Sequence, residues 1–348
     1  MRLLFEELSA AQRVGGVETV CGGLARRILA HEHELVRVDS ARSLPECWRP
    51  DLVHIHGLWS PTLIARWCRW RARNVPCLVT IHGMLEPWAV AHKKWKKRLA
   101  WLIYQRRMLN SARLLHATSE REVSNLHNLG LHPSVALIPW GIETVATVPN
   151  SGRLKNFGGL DRTALFVGRL YPVKGLPLLL EAWSRIRPPG WKLRLVGPDE
   201  AGHRSELEHL VKRLCLTESV AFTGPLSGDA LTQEYRDASL FVLPSKTENF
   251  GITVGDALAH GLPVLTTKGA PWQILEEENC GWWVPGNAEG LASALQDATS
   301  CPASGLVAMG ERGRLLAERD YGWERVAKQM IDCYQWILGD ASKPACVR

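Results

Sequence analysis

The chain contains no apolar run that approaches the roughly 20 residues a membrane-crossing helix needs. Its start, Met1-Arg2-Leu3-Leu4-Phe5-Glu6-Glu7, meets acids too soon to form the apolar core of a secretory leader. Nine cysteines are scattered with no Cys-x-x-Cys pair. That spacing argues against a zinc ribbon, a dithiol redox motif or a disulfide scaffold, and fits free thiols in a reducing compartment. Repeats and low-complexity tracts are also missing. Acid is scarce in the first half, where residues 1–150 hold 20 Lys+Arg against 12 Asp+Glu, whereas the remainder is balanced at 22 against 23. The first half is therefore expected to lie near something anionic.

What is present is an alternation of short apolar runs with amphipathic stretches. In the first half, strands are expected at 2–5, 51–57, 76–83, 114–119 and 135–139. Helices are expected over 19–31, 61–73, 92–110 and 120–129. Ser119 and Glu122 there have the spacing of a capping box. Residues 144–162 carry few long apolar side chains and read as a linker. Beyond it strands are expected at 164–167, 192–196, 220–223, 240–243 and 263–266, with helices between them and a last helix at 323–338. At 348 residues the length suits two domains. The pattern predicts an α/β protein with two parallel sheets wrapped by helices, whose ligands bind at strand C-termini. The expected domains are 1–150 and 151–325, with 326–348 a helix and tail that can pack back on the first.

Two segments carry chemistry. The first is Phe166-Val167-Gly168-Arg169-Leu170-Tyr171-Pro172-Val173-Lys174-Gly175, a strand leading into a loop and helix. A planar guanidinium and an ammonium there can neutralise a diphosphate leaving group without a metal, and Gly168 lets the backbone come close. The second runs Glu248-Asn249-Phe250-Gly251-Ile252-Thr253-Val254-Gly255-Asp256 and on to Ala257-Leu258-Ala259-His260-Gly261-Leu262-Pro263-Val264. Its glycine turn opens a helix whose first N–H groups can face an anion, and its carboxylates can accept bonds from sugar hydroxyls. Each feature alone reads equally well as solvated surface; it is their coincidence in one domain that favours a site.

These two segments resemble the donor-site signature of the retaining glycosyltransferases of family 4, which have the GT-B fold of two Rossmann-like domains facing each other across a cleft. The stretches from His82-Gly83-Met84-Leu85-Glu86-Pro87-Trp88 and around Gly269-Ala270-Pro271-Trp272 resemble the bacterial polysaccharide branch (O-antigen, capsule or exopolysaccharide). The resemblance implies that Arg169 and Lys174 hold the donor diphosphate and that Glu248 touches the donor sugar. Asn249 belongs to the same donor loop, and Phe250, Gly251 and Ile252 would offer backbone N–H groups near the phosphates. Gly15 and Gly16 match an N-terminal glycine loop that approaches the donor phosphates or acceptor, and His82 matches a cleft-wall histidine. The second acid of the pattern, usually Glu, would bind the ribose. Here it is Asp256, one methylene shorter, which would require the helix about 1 Å closer. For a retaining reaction the family implies front-face attack with no protein nucleophile.

His82 can equally be a core residue. His54 and His56 alternate on one strand like a metal-ligand pair, but no third ligand is placed and the Arg/Lys pair makes a cation redundant, so neither metal nor cofactor is expected. The 92–107 segment holds seven cations and no acid, with Trp95, Trp101 and Tyr104. It can lie on an anionic membrane surface, as a lipid-linked acceptor would require, or be a solvated helix with one buried face. The expected location is cytoplasmic, peripheral on the inner face of the plasma membrane. Other readings are a GT-B epimerase, sugar-phosphate synthase or phosphorylase. A nucleic-acid binder using the basic half is the remaining one, although the chain has no recognised nucleic-acid module.

Overall fold

The structure, a computed structural model, describes residues 1–8, 16–39, 48–91, 94–145 and 162–348. It divides into two compact units, one of residues 1–141 with 323–348 and one of residues 142–322. The expected boundaries at 150/151 and 325/326 thus move to 141/142 and 322/323. Most of the expected linker falls outside the described residues.

The first unit contains β1 (Arg2–Glu7), β2 (Glu34–Val38), β3 (Leu52–His56), β4 (Cys77–Thr80), β5 (Leu114–Ala117) and β6 (Val135–Leu137). They form one parallel sheet in the order β2-β1-β3-β4-β5-β6. Strands β3, β4 and β5 are buried along their whole length. That burial on both faces is why apolar side chains such as Val53, Ile55, Leu78, Val79, Leu114 and Leu115 occupy consecutive as well as alternate positions. β2 was not anticipated, because an edge strand with Glu34 and Arg37 interrupts the apolar signal. The sheet winds outward from β1 to β2, then reverses to β3. The crevice above β1 and β3 is the place where such sheets bind ligands.

A chain of hydrogen bonds ties the last helix, Trp323–Leu338, to this sheet, and its direction is fixed by one carbonyl. The Ile138 carbonyl can only accept, so His116 donates to it from Nε2 at 2.7 Å. His116 Nδ1 then accepts from the Thr80 hydroxyl at 2.8 Å. The Thr80 oxygen accepts from His54 Nε2 at 2.6 Å, and His54 Nδ1 accepts from the Tyr334 hydroxyl at 2.7 Å. Burial pushes both imidazoles below their ordinary pKa, His116 to about 4, which keeps them neutral as this pattern requires. Trp323, at the start of the same helix, lies over Gly23 and Gly141. A Cβ on either would meet the indole at 2.3 or 2.2 Å. The tail beyond continues onto the sheet edge, where Val347 bridges Ala136 and Arg348 pairs with Glu120.

The capping box forms only by half. Ser119 accepts from the Glu122 N–H at 3.2 Å. The Glu122 carboxylate turns elsewhere, to the N–H groups of Gly83 at 2.9 Å and Thr118 at 2.8 Å. The long basic helix is also interrupted. Pro87–Ala91, Lys94–Ala100 and Arg106–Asn110 are helical, with a π turn at Trp101–Gln105.

The second unit contains β7 (Arg162–Val167), β8 (Trp191–Val196), β9 (Val220–Gly224), β10 (Leu240–Leu243), β11 (Val264–Thr267) and β12 (Gly281–Val284). Its parallel sheet has the order β12-β11-β10-β7-β8-β9, with the winding reversal between β7 and β10. β12 and the helices Ala288–Ser300 and Ala303–Tyr321 were not anticipated. The second of these helices has several small residues where an apolar stripe would be read. Gly310 is one, and it lies so close to the Gly261 carbonyl that a Cβ would come within 1.9 Å. Two parallel sheets flanked by helices are the α/β architecture expected.

Tyr334→Phe removes the donor that begins the histidine chain and leaves His54 Nδ1 as a buried acceptor without a partner. It is expected to destabilise the first unit by about 1–3 kcal/mol, read as a lower urea midpoint. An unchanged midpoint would refute the assigned direction of the chain.

Candidate active site

In the second unit the loops after β7 and β10 meet above the winding reversal. Gly175, with φ of 70°, packs so tightly on the Pro244 carbonyl that a Cβ would lie 2.1 Å from it. The Lys246 N–H donates to the Val173 carbonyl at 2.8 Å. This contact puts Lys174, in the short 3-10 turn Pro172–Lys174, against Glu248. Lys174 Nζ lies 2.5 Å from Glu248 Oε1, and the Ser245 hydroxyl donates to the same oxygen at 2.6 Å. Both charged side chains are mostly buried, at 16% and 13% exposure. Glu248 is held from behind as well, since its N–H donates to the Gly269 carbonyl at 2.9 Å.

Arg169, in the same loop after β7, pairs with Glu200 from the loop after β8. The loops that carry them are zipped together. Leu170 N–H donates to the Pro198 carbonyl at 2.8 Å, and Glu200 N–H to the Leu170 carbonyl at 3.2 Å. Gly168 enters the same arrangement, with its carbonyl 1.9 Å from where a Gly197 Cβ would sit. The cations expected at a diphosphate are therefore both neutralised by carboxylates. Of the residues anticipated, Lys174 and Glu248 touch, and Arg169 sits at the end of β7 in the loop that also carries Lys174. Ser245 and Glu200 were missed. Their signal was their place at the ends of β10 and β8, and a lone Ser or Glu in a loop carries little weight.

Gly251, with φ of 83°, starts the helix Ile252–Ala259. Phe250 is not a surface residue. It is 5% exposed, packs on Trp272 and Tyr321, and its carbonyl accepts from Trp272 Nε1 at 2.5 Å. Its role is to anchor the turn, so that the first N–H groups of the helix, at Ile252 and beside it, point out from a fixed position. Asn249 completes the loop between Glu248 and that turn. Asp256 lies one turn further, half-buried between Glu143 and Tyr235. Burial first, then the Glu143 carboxylate, raise its pKa to about 7.

In the first unit His56 ends β3 and His82 follows β4, while Gly15 lies outside the described residues. Gly16 precedes the helix Val17–Ala30. His82 has a left-handed φ of 54°, unusual for a residue with a side chain. Its ring stacks on Trp140 with centroids 5.3 Å apart, and its Nε2 is 3.3 Å from His56 Nδ1. Glu122 fixes the Gly83 N–H of the same turn. Burial lowers the pKa of His82 to about 3 and that of His56 well below the ordinary value, so both rings are neutral. His56 Nε2 is buried without a hydrogen-bond partner. A proton there would be an orphaned buried donor, the costlier fault. The proton therefore belongs on His56 Nδ1, where it donates to His82 Nε2, and His82 carries its own proton on Nδ1.

Comparison with known proteins gives these features a family. Residues 9–141 match the family model described as "Glycosyl transferase 4-like domain", and residues 161–301 match "Glycosyl transferases group 1". The chain belongs to the group 1 glycosyltransferases. Its relatives include a D-inositol 3-phosphate glycosyltransferase of Kineococcus radiotolerans, 28% identical over 83% of this chain and 72% of the relative. A second, of Streptomyces bingchenggensis, is 30% identical over 82% of this chain and 66% of the relative. Among solved structures, sucrose-phosphate synthase from Thermosynechococcus elongatus matches with a TM-score of 0.79 at 20% identity, covering 98% of this chain and all of that one. WaaG, a glycosyltransferase involved in lipopolysaccharide biosynthesis, matches with a TM-score of 0.68 at 18% identity, covering 95% and 99%. These likenesses establish the GT-B fold. The relatives do not support the polysaccharide branch specifically.

The raised pKa of Asp256 has a consequence for stability. The folded chain keeps a proton that the unfolded chain, with an ordinary carboxylate pKa near about 3.9, gives up. Stability is thus lost as pH rises from about 4 to about 7 and is level above that. Asp256→Asn is expected to raise the melting temperature relative to the parent most at pH 8 and least near pH 4. A difference that does not vary with pH would count against the buried pair with Glu143.

Proposed function

We propose that the protein transfers a sugar, with retention, from a nucleoside-diphosphate sugar to a hydroxyl of a glycan acceptor. The observation that carries this is the Lys174–Glu248–Ser245 cluster at the β7/β10 reversal, with a helix start beside it. A solved relative in fold, Anabaena HepE, was crystallised with UDP-glucose at a TM-score of 0.74 and 19% identity, which supports a donor of this class. The diphosphate rests on Lys174, Arg169 and the N–H groups that open the helix Ile252–Ala259. As the sugar–phosphate bond breaks, charge grows on the leaving phosphate where those groups already lie. Glu248 accepts from the donor sugar's hydroxyls. Asp256 receives the ribose, preferably in its ionised form, because a carboxylate is a pure acceptor. His82 acts as a neutral donor through Nδ1–H and not as a base. No protein nucleophile and no metal takes part in the transfer; the acceptor proton leaves with the phosphate oxygen.

A lipid-linked acceptor of surface polysaccharide synthesis is the reading favoured by the exposed face of the 94–110 segment. Trp95, Leu99, Leu102 and Ile103 are 70%, 52%, 73% and 65% exposed, and their spacing puts them on one helix face. Lys94, Lys96, Arg98, Arg106 and Arg107 are exposed around them. Trp101, expected as an anchor, instead packs inward against Trp59 and the core. Such a stripe suits a peripheral position on the anionic cytoplasmic leaflet, each nearby cation adding about 1 kcal/mol. The second reading, a small phosphorylated acceptor free in solution, is favoured by the names of the inositol phosphate relatives.

Three measurements test this. Thermal stabilisation by a panel of nucleotide sugars should single out one donor, and stabilisation by none would refute the donor site. Lys174→Ala, Arg169→Ala and Glu248→Gln should each cut turnover by at least about 100-fold while the circular dichroism spectrum stays that of the parent. Full turnover by Lys174→Ala would sink the phosphate role. Sedimentation with anionic vesicles should be lost in high salt and in Leu102→Glu/Ile103→Glu. Equal binding to neutral vesicles would exclude the electrostatic surface, and transfer to inositol phosphate without any lipid would favour the second reading.

A further inference from the structure

Among the described residues, Cys21, His56 and His82 each offer one ligand atom within 4.8 Å of the others. They come from three different elements of the first unit, namely the helix Val17–Ala30, the end of β3 and the turn after β4. Cys21 and His56 are fully buried and His82 is half-buried. We propose that these three side chains form a binding site for a borderline-soft divalent cation, Zn2+ above all, whose occupation blocks transfer.

Geometry and ligand chemistry together point to a metal. The 3.3 Å between His56 Nδ1 and His82 Nε2 is the spacing of two nitrogens sharing one tetrahedral zinc, each at about 2.0–2.1 Å. The ligand set, two imidazoles and a thiol, is the kind that zinc takes in preference to the hard cations. Both histidines are already neutral, the state that coordinates. Cys21 lies close enough to Arg37 for the two charges to interact, so a thiolate there has a cation to face. The left-handed turn at His82 aims its ring back at His56, so the backbone holds the pair in place.

Binding is written Cys–SH + Zn2+ → Cys–S–Zn+ + H+. The S–H bond breaks, the Zn–S bond forms and one proton is released. The metal takes His56 Nδ1 and His82 Nε2 in place of their mutual hydrogen bond, so the His56 proton moves to Nε2 while His82 keeps its proton on Nδ1. The fourth coordination position is left to water. The inhibition rests on the role proposed above for His82, because a ring tied through Nε2 to the metal is no longer free to turn its Nδ1–H toward the sugar. The binding itself does not rest on that role.

The test uses the full chain with the exposed cysteines among the described residues removed, as Cys68→Ser/Cys215→Ser, compared with the same protein carrying Cys21→Ser or His56→Gln in addition. Zn2+ is titrated against a chromophoric chelator and proton release is followed in weak buffer. Co2+ replaces Zn2+ to give a thiolate-to-metal absorption band. The expected result is one tight equivalent, one proton released and a Co2+–thiolate band. Cys21→Ser should lose the band and the proton and bind more than about tenfold more weakly, with its unaided transfer activity retained. Binding that is undiminished in Cys21→Ser, or no thiolate band, overturns the site. His56→Gln gives a second check, since it should weaken binding while leaving Cys21 in place. If the metal binds as described but transfer is not slowed, the metal site stands and the assignment of His82 to the sugar falls.

Discussion

A parallel sheet that reverses its winding cannot close the gap between the two strands where it turns, and in this protein a lysine and a glutamate fill that gap. Lys174 leaves β7 and Glu248 leaves β10, and they meet at 2.5 Å with Ser245 on the same oxygen. Neither charge would be tolerated there alone, because taking an ion out of water costs several kcal/mol unless a partner offsets it. The pair fixes the two loops against each other, and the neighbouring turns are arranged around it. Gly175 has to be a glycine for the loops to approach, Phe250 has to be buried to hold the turn, and Arg169 at the end of β7 is held by Glu200 from the end of β8. Each cation here stands against a carboxylate, so the loops meet without a net charge being buried between them.

The first unit uses neutral groups where the second uses charges. Four histidines are buried at or near the strand ends, and burial keeps all of them uncharged. Neutral imidazoles each have one donor and one acceptor, so a single carbonyl sets the direction of a whole chain of bonds. Ile138 does this for His116, Thr80, His54 and Tyr334. The partnerless nitrogen of His56 does it for His82. The first unit thus offers charge-free rings of fixed tautomer, and the second offers paired charges.

Much of this was legible in the sequence, for reasons that are specific. Strands β3, β4, β5 and β10 are buried on both faces, so their apolar runs were unmistakable. β2 and β12 are sheet edges, half-exposed, and mixed polarity hid them. The helix Ala303–Tyr321 was hidden by glycines that exist for close packing. Lys174, Glu248 and Gly251 could be found because their spacing resembles a family signature. Ser245, Glu200 and Glu143 could not, because a loop residue is recognised only through what it touches. The tautomers of His56 and His82 depend on one orphaned atom and are invisible in one dimension. Trp95 and Trp101 look alike in the sequence, and only the π turn decides which of them faces out.

The helix Trp323–Leu338 belongs to the unit formed by residues 1–141, although a whole second unit is encoded between them. On the ribosome the first sheet therefore emerges long before the helix that covers its histidines and its glycine pair. Until some 180 further residues have been made, Gly23 and Gly141 face no indole and His54 waits for its phenol. The nascent first half must survive as an unsealed intermediate, and a message truncated before codon 323 would leave it exposed to chaperones and proteases however well the second half had folded.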